Sequence, residues 1–186
     1  MKRLSIKDFH RFMRGGFAKS IKKAFVEHQI FCEADLQSFA WRKIKNFLER
    51  HEEVPGRFRL LNKPFLRDCT TYPDLVVFRR RVPWVVVELK ESRILTKERA
   101  SKERDKLLSA RKILKAKRGY LVYVARSGER RSIPGPKGDA GYYFFEVPVI
   151  LDRTMSGAEL REWKEEFRSW SKYVVAEPKL TKVHHT

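Results

Sequence analysis

Apolar residues recur at spacings of three and four through most of the first fifty positions. Ile6, Phe9, Phe12 and Met13, followed by Phe17, Ile21, Phe25 and Val26, predict two short amphipathic helices separated at Gly15-Gly16. Lys19, Lys22 and Lys23 give the second an exposed basic side. A longer helix is predicted from Glu33, where Leu36, Ala40, Ile44 and Phe47 form a stripe that Trp41 and Leu48 widen. Beyond Pro55-Gly56 the period changes. Residues 57–61 read as a strand, and the runs Leu75 to Phe78 and Val85 to Val87 read as the two arms of a β-hairpin. Helical spacing returns over 97–117, with Ala100, Leu107, Ala110 and Leu114 facing inward and Gly119 closing the helix. Tyr120 to Ala125 predicts a buried strand. Residues 126–141 are rich in Arg, Lys, Gly and Pro and predict a loop. Tyr142 to Val149 returns as a strand, Ser156 to Tyr173 as a helix, and a loose tail follows from Glu177.

The hairpin sets the register of everything near it. With Arg80-Arg81-Val82 as its loop, Arg79 pairs with Pro83, Val76 with Val86, and Asp74 with Glu88. Directly opposed residues on antiparallel strands share a face, with Cβ atoms about 4.5–5.5 Å apart. Two carboxylates that close repel unless positive charge lies between them. Lys90 lies two residues beyond Glu88 and points the same way, while Leu89 points to the other face. Two acids and a lysine therefore converge at one end of a buried hairpin.

Composition narrows what such a cluster serves. The chain has 186 residues, expected to form a single domain made of an N-terminal helical extension (1–30), a core (31–150) and a C-terminal helix and tail (151–186). Forty-two Lys and Arg against 23 Asp and Glu leave a formal charge of +19, which points to a polyanionic partner, nucleic acid ahead of an acidic membrane surface. No run of eighteen apolar residues spans a membrane and no signal-peptide core follows Met1. Cys32 and Cys69 lack metal-ligand spacing, which fits an intracellular protein of the cytoplasm or nucleoid. His184-His185 is a terminal pair with little weight as a metal site.

Pro73-Asp74, a thirteen-residue gap and Glu88-Leu89-Lys90 resemble the signature of the PD-(D/E)xK nuclease superfamily, with its restriction-endonuclease-like, RecB-like and archaeal Holliday-junction-resolvase-like branches. The resemblance implies an α/β fold with a restriction-endonuclease-like core: a central mixed sheet in the order α-β-β-β-α-β, flanked by helices. It implies that Asp74 and Glu88 hold Mg²⁺, with Mn²⁺ substituting, that the backbone carbonyl of Leu89 adds a ligand, and that Lys90 positions the attacking water. The superfamily's first helix commonly carries an acid that approaches the metal. Glu33 is either that acid or a complement to its helix dipole, with Asp35 as its competitor and Gln37 without a role.

The expected activity is metal-dependent hydrolysis of DNA phosphodiesters. Arg99, Lys102 and Lys106 on one helix face, and Arg126, Arg130, Arg131 and Lys137 in the basic loop, are the expected nucleic-acid contacts. The alternative is a non-catalytic nucleic-acid-binding protein of the same fold. A basic module on membrane or ribosomal RNA is a third class, and it leaves Asp74, Glu88 and Lys90 unexplained. Expected partners are nucleic acid, DNA ahead of RNA, and a second copy of the chain as a homodimer.

Overall fold

In the computed structural model the helical spacing of the N-terminal segment forms one run rather than two separated helices. Helix α1 (Ile6–Phe12) passes through a π-helical stretch (Met13–Phe17) into α2 (Ala18–Val26). Gly15-Gly16, expected as a break, lies inside that stretch. The physical reason is the four-residue repeat Phe9, Met13, Phe17, Ile21. On an ordinary helix each such step drifts about 40° around the axis. A wider turn absorbs the drift and leaves all four side chains fully buried. Val26, assigned to the apolar face, is exposed. The structure describes residues 4–27, 29–30, 32–51, 54–64, 72–92, 97–125 and 144–150, all within the compact unit Met1–Thr154.

Helix α3 (Glu33–Arg50) begins where the pattern predicts. Its N-terminus is closed by Asp35, whose carboxylate accepts from the Cys32 amide at 3.3 Å and lies 3.4 Å from the Cys32 thiol. Among the described residues five strands form one mixed sheet: β1 (Phe58–Asn62), β2 (Leu75–Arg79), β3 (Val82–Ser92), β4 (Arg118–Ala125) and β5 (Phe144–Ile150), in that spatial order. β1, β2 and β3 pair antiparallel, whereas β4 runs parallel to β3 and β5 parallel to β4. Helix α4 (Lys97–Ile113) joins β3 to β4. The chain is thus an α/β protein whose mixed sheet is flanked by helices.

The hairpin reaches the expected register by a different route. Arg79 faces Val82, not Pro83, and the turn is the two-residue Arg80-Arg81, both residues with positive φ (51° and 66°). Such a turn normally carries Asn or Gly, so nothing in the sequence signals it. Phe78 faces Pro83, but Val77 faces Val85. Trp84 is the extra residue, a bulge that restores the pairing of Val76 with Val86 and Leu75 with Val87. The next step along this register sets Asp74 opposite Glu88.

The sheet has two unequal faces. Leu75, Val77, Val85, Val87, Leu89, Tyr120 and Val122 pack with the helices α1 to α3, and Phe9 sits edge-on to Trp84 and Tyr120 at 5.4 and 5.8 Å. On the opposite face Val86, Leu121 and Tyr123 pack against Leu107, Ala110 and Ala116. Gly119, expected to close the preceding helix, is instead a residue of β4, paired with Val86 and Phe144. The helix ends at Ile113, and the αL residue after it is Lys115 (φ 51°). A Cβ on Gly119 would lie 3.2 Å from Leu107 Cγ, so glycine there lets α4 come close to the sheet. That approach fixes the height of α4 over β3.

Several expectations fall outside the described residues: the loop with Arg126, Arg130, Arg131 and Lys137, the C-terminal helix and tail from 151, Cys69 and the terminal histidines. For Arg99 the helix backbone is described and the side chain is not.

Candidate functional site

Of all described polar side chains, Gln37, Asp74 and Glu88 are the ones buried, and they are buried together. Asp74 sits at the N-terminal edge of β2, and Glu88 lies within β3 on the α4 side. One Asp74 oxygen accepts the Leu89 amide N–H at 2.8 Å. The other accepts from the Gln37 side-chain amide. Glu88 Oε1 meets the Lys106 ammonium, while Glu88 Oε2 is buried with no hydrogen-bond partner among the described residues. A buried acceptor left in that condition costs about 1–3 kcal/mol, more when charged.

Around this pair the charges alternate. Lys90 Nζ lies 3.0 Å from Glu33 Oε2 and 3.8 Å from Glu103 Oε1. Lys106 Nζ lies 3.8 Å from Glu103 Oε2. Four acids and two lysines from β2, β3, α3 and α4 therefore meet at one end of the sheet. Among the described residues no three of His, Cys, Asp and Glu form a metal-holding group. The protein side of the site is a carboxylate pair with a lysine against it.

Burial pushes the Asp74 carboxyl up, against the pull of the Leu89 N–H and of Lys106, with Glu33 adding to the rise. Burial also pushes Glu88 up, to about 8, and the Asp74 charge adds to it despite the hydrogen bond from Lys106. Both lysines lose hydration, yet their carboxylate neighbours hold them above the usual lysine value, Glu33 for Lys90 and Glu88 for Lys106. The acids share too little positive charge to ionise freely, so an added cation would be stabilised here.

The expected residues Asp74, Glu88, Leu89, Lys90 and Glu33 come together in space. Asp35 does not, because it caps α3. Lys106, expected on a surface face with Arg99 and Lys102, turns inward onto Glu88; Lys102 is exposed. Two neighbours escape the sequence reading. Gln37 lies one helical turn after Glu33, on the same face, and its spacing and polarity were the available signal. Glu103 is one turn before Lys106 on α4, and the packing of α4 against β3 and β4 brings it to both lysines.

Compared with known proteins, the chain matches no family model and no curated protein sequence.

Proposed function

We propose that the protein is a metal-dependent nuclease of the PD-(D/E)xK type with a restriction-endonuclease-like core, hydrolysing phosphodiester bonds of DNA with Mg²⁺ or, in its place, Mn²⁺. The observation that carries this reading is the buried Asp74–Glu88 pair, one oxygen of which, Glu88 Oε2, has no hydrogen-bond partner among the described residues. Two carboxylates suit Mg²⁺, which takes one or two from protein and completes its shell with water and substrate oxygens. The orphaned Oε2 is the acceptor a cation would satisfy, so the residues present fit the metal. A divalent cation supplies charge neutralisation at the phosphate and a more acidic water.

The rest falls to the chain itself. Asp74 and Glu88 hold the cation, the Leu89 carbonyl is the further ligand that the resemblance implies, and the Leu89 amide and Gln37 fix the Asp74 carboxylate. Lys90, kept charged by Glu33 and Glu103, holds the attacking water and offsets charge developing on the phosphate. Glu33 thereby acts through Lys90. The charge of +19 attracts DNA, and Lys102 with Arg126, Arg130 and Arg131 contacts its backbone. Among the described residues no helix is long and apolar enough to cross a membrane; an intracellular setting and a homodimer belong to the same reading.

One observation favours a second reading. Lys106 already neutralises Glu88, as a retired site in a non-catalytic nucleic-acid-binding protein would require. Digestion of labelled linear, circular, flapped and branched DNAs in Mg²⁺ or EDTA separates the two. Cleavage in Mg²⁺ alone, lost in Asp74→Ala, is the expected result; binding without cleavage of any substrate favours the second reading.

A further inference from the structure

The sheet face that carries Glu88 continues along the hairpin, away from the acids. On β2, Val76 and Phe78 alternate with the core residues Leu75 and Val77, so they share the Asp74 side. On β1, Arg59 faces Phe78 and Leu61 faces Val76. Helix α4 packs on β3 and β4; Val76 is fully buried, and beyond it, over β1 and the tip end of β2, this face opens into a groove of about 480 Å³ lined by Arg57, Phe58, Arg59, Leu61, Phe78 and Arg81 beside Gly56. Pockets on that scale take a drug-sized ligand.

Three features of the groove point to one kind of occupant. Among the described residues its charged lining is arginine: Arg57, Arg59 and Arg81. Arg59 and Arg81 are exposed and make no ion pair or hydrogen bond among the described residues. Phe78 is half-buried and has no ring partner among the described residues, whereas Phe58, which also borders the groove, already meets Trp84 and Arg79. An aromatic on a sheet surface with unpaired guanidinium groups around it is suited to stack a base and hold phosphates, and a base is free to stack in that way when the strand is single. Phe78 lies four residues along β2 from Asp74, about 13 Å, the span of about four stacked nucleotides.

We propose that this groove binds the single strand of DNA that leaves the acid pair, with Phe78 stacking a base and Arg59 and Arg81 holding phosphates. The inference rests on the nucleic-acid part of the function proposed above.

The test is binding of labelled dT12 and of a 12-base-pair duplex in EDTA, across a salt series. For Arg59→Gln with Arg81→Gly, dT12 affinity is expected to fall about tenfold. The slope of log affinity against log salt should shrink by about 1.4, the value for two phosphate contacts on a single strand. Arg59→Lys with Arg81→Lys should retain the slope. Phe78→Leu should weaken dT12 several-fold with the slope unchanged. A wild-type slope in the Gln/Gly variant overturns the groove and leaves the nuclease reading standing. Equal losses on duplex and single strand overturn the single-strand assignment. If the wild-type protein binds neither DNA, the proposed function fails and the groove with it.

Discussion

The two ends of the hairpin carry opposite charge in opposite settings. At one end Asp74 and Glu88 are 5% and 2% exposed, and one oxygen of Glu88 has no hydrogen-bond partner among the described residues. At the other end Arg80 and Arg81 stand in solvent. Charge is cheap at the exposed tip, because water screens it. Buried carboxylates are expensive, and a fold that needed only stability would replace them with apolar residues. The comparison teaches that burial, not charge itself, marks the end where chemistry is to be sought, while the exposed end offers attraction without reaction.

The largest test of that contrast is to remove the acids. Asp74→Ala should abolish Mg²⁺-dependent cleavage, a loss of three or more orders of magnitude, while leaving DNA binding equal or stronger, since a buried negative charge has gone. Glu88→Gln should do the same to cleavage. It should also raise the stability of the metal-free protein above pH 8 by about 1 kcal/mol, because a neutral amide replaces a buried carboxylate whose desolvation the single contact with Lys106 only partly offsets. Urea denaturation in EDTA checks this. A destabilised Glu88→Gln would mean that the acid serves the fold.

A pH series sharpens the same point. Glu88 titrates near 8 in the folded protein against an ordinary 4.5, so between those values the folded state holds a proton that the unfolded chain has released. Stability in EDTA should therefore fall as pH rises from about 5 to 8, by at most about 1.4 kcal/mol per pH unit, and level off above. A Mg²⁺ ion held by Glu88 would compete with that proton, so its affinity should rise through the same window. Stability that climbs with pH in EDTA would contradict a buried, proton-holding Glu88.

Lys106 should give a smaller effect with a definite sign. Its ammonium holds Glu88 Oε1 and so competes with any added cation. Lys106→Met should tighten Mn²⁺ binding, read by calorimetry, about tenfold. Equal affinities in the two proteins would show that the lysine does not compete.

The legibility of these features follows from their range. Helix α3, the strands and the facing of Asp74 and Glu88 rest on periods of two and four within short stretches, and the sequence displays those directly. The register survived an incorrect loop, because the bulge at Trp84 compensated for a turn one residue shorter. What stayed hidden depends on contacts between distant segments. Lys106 reads as one member of a basic helix face until Gly119 draws α4 down onto β3. Gln37 reads as an idle polar residue until Asp74, thirty-seven positions later, is found against it. The π-helical turn was legible in principle, since four apolar residues at intervals of four cannot all face one way on an ordinary helix.

The smallest effect belongs to the arginine tip. Arg80 and Arg81 both hold the left-handed conformation that Asn and Gly adopt at little cost, and for other residues it costs about 1–2 kcal/mol each. Replacing them, as Arg80→Asn with Arg81→Gly, should therefore stabilise the protein by about 1 kcal/mol or more in urea denaturation. The Arg80 amide donates to the Arg57 carbonyl at 2.9 Å, and that hydrogen bond survives the change because the replacement at position 80 keeps the backbone N–H. The same substitution should weaken DNA binding and reduce its salt dependence, since it removes two positive charges from the exposed end. Acid end and basic end would then show one pattern: each carries residues that cost the fold something and serve the ligand. A tip variant with no gain in stability, or with unchanged DNA binding, would break that symmetry and leave the strained arginines without a role.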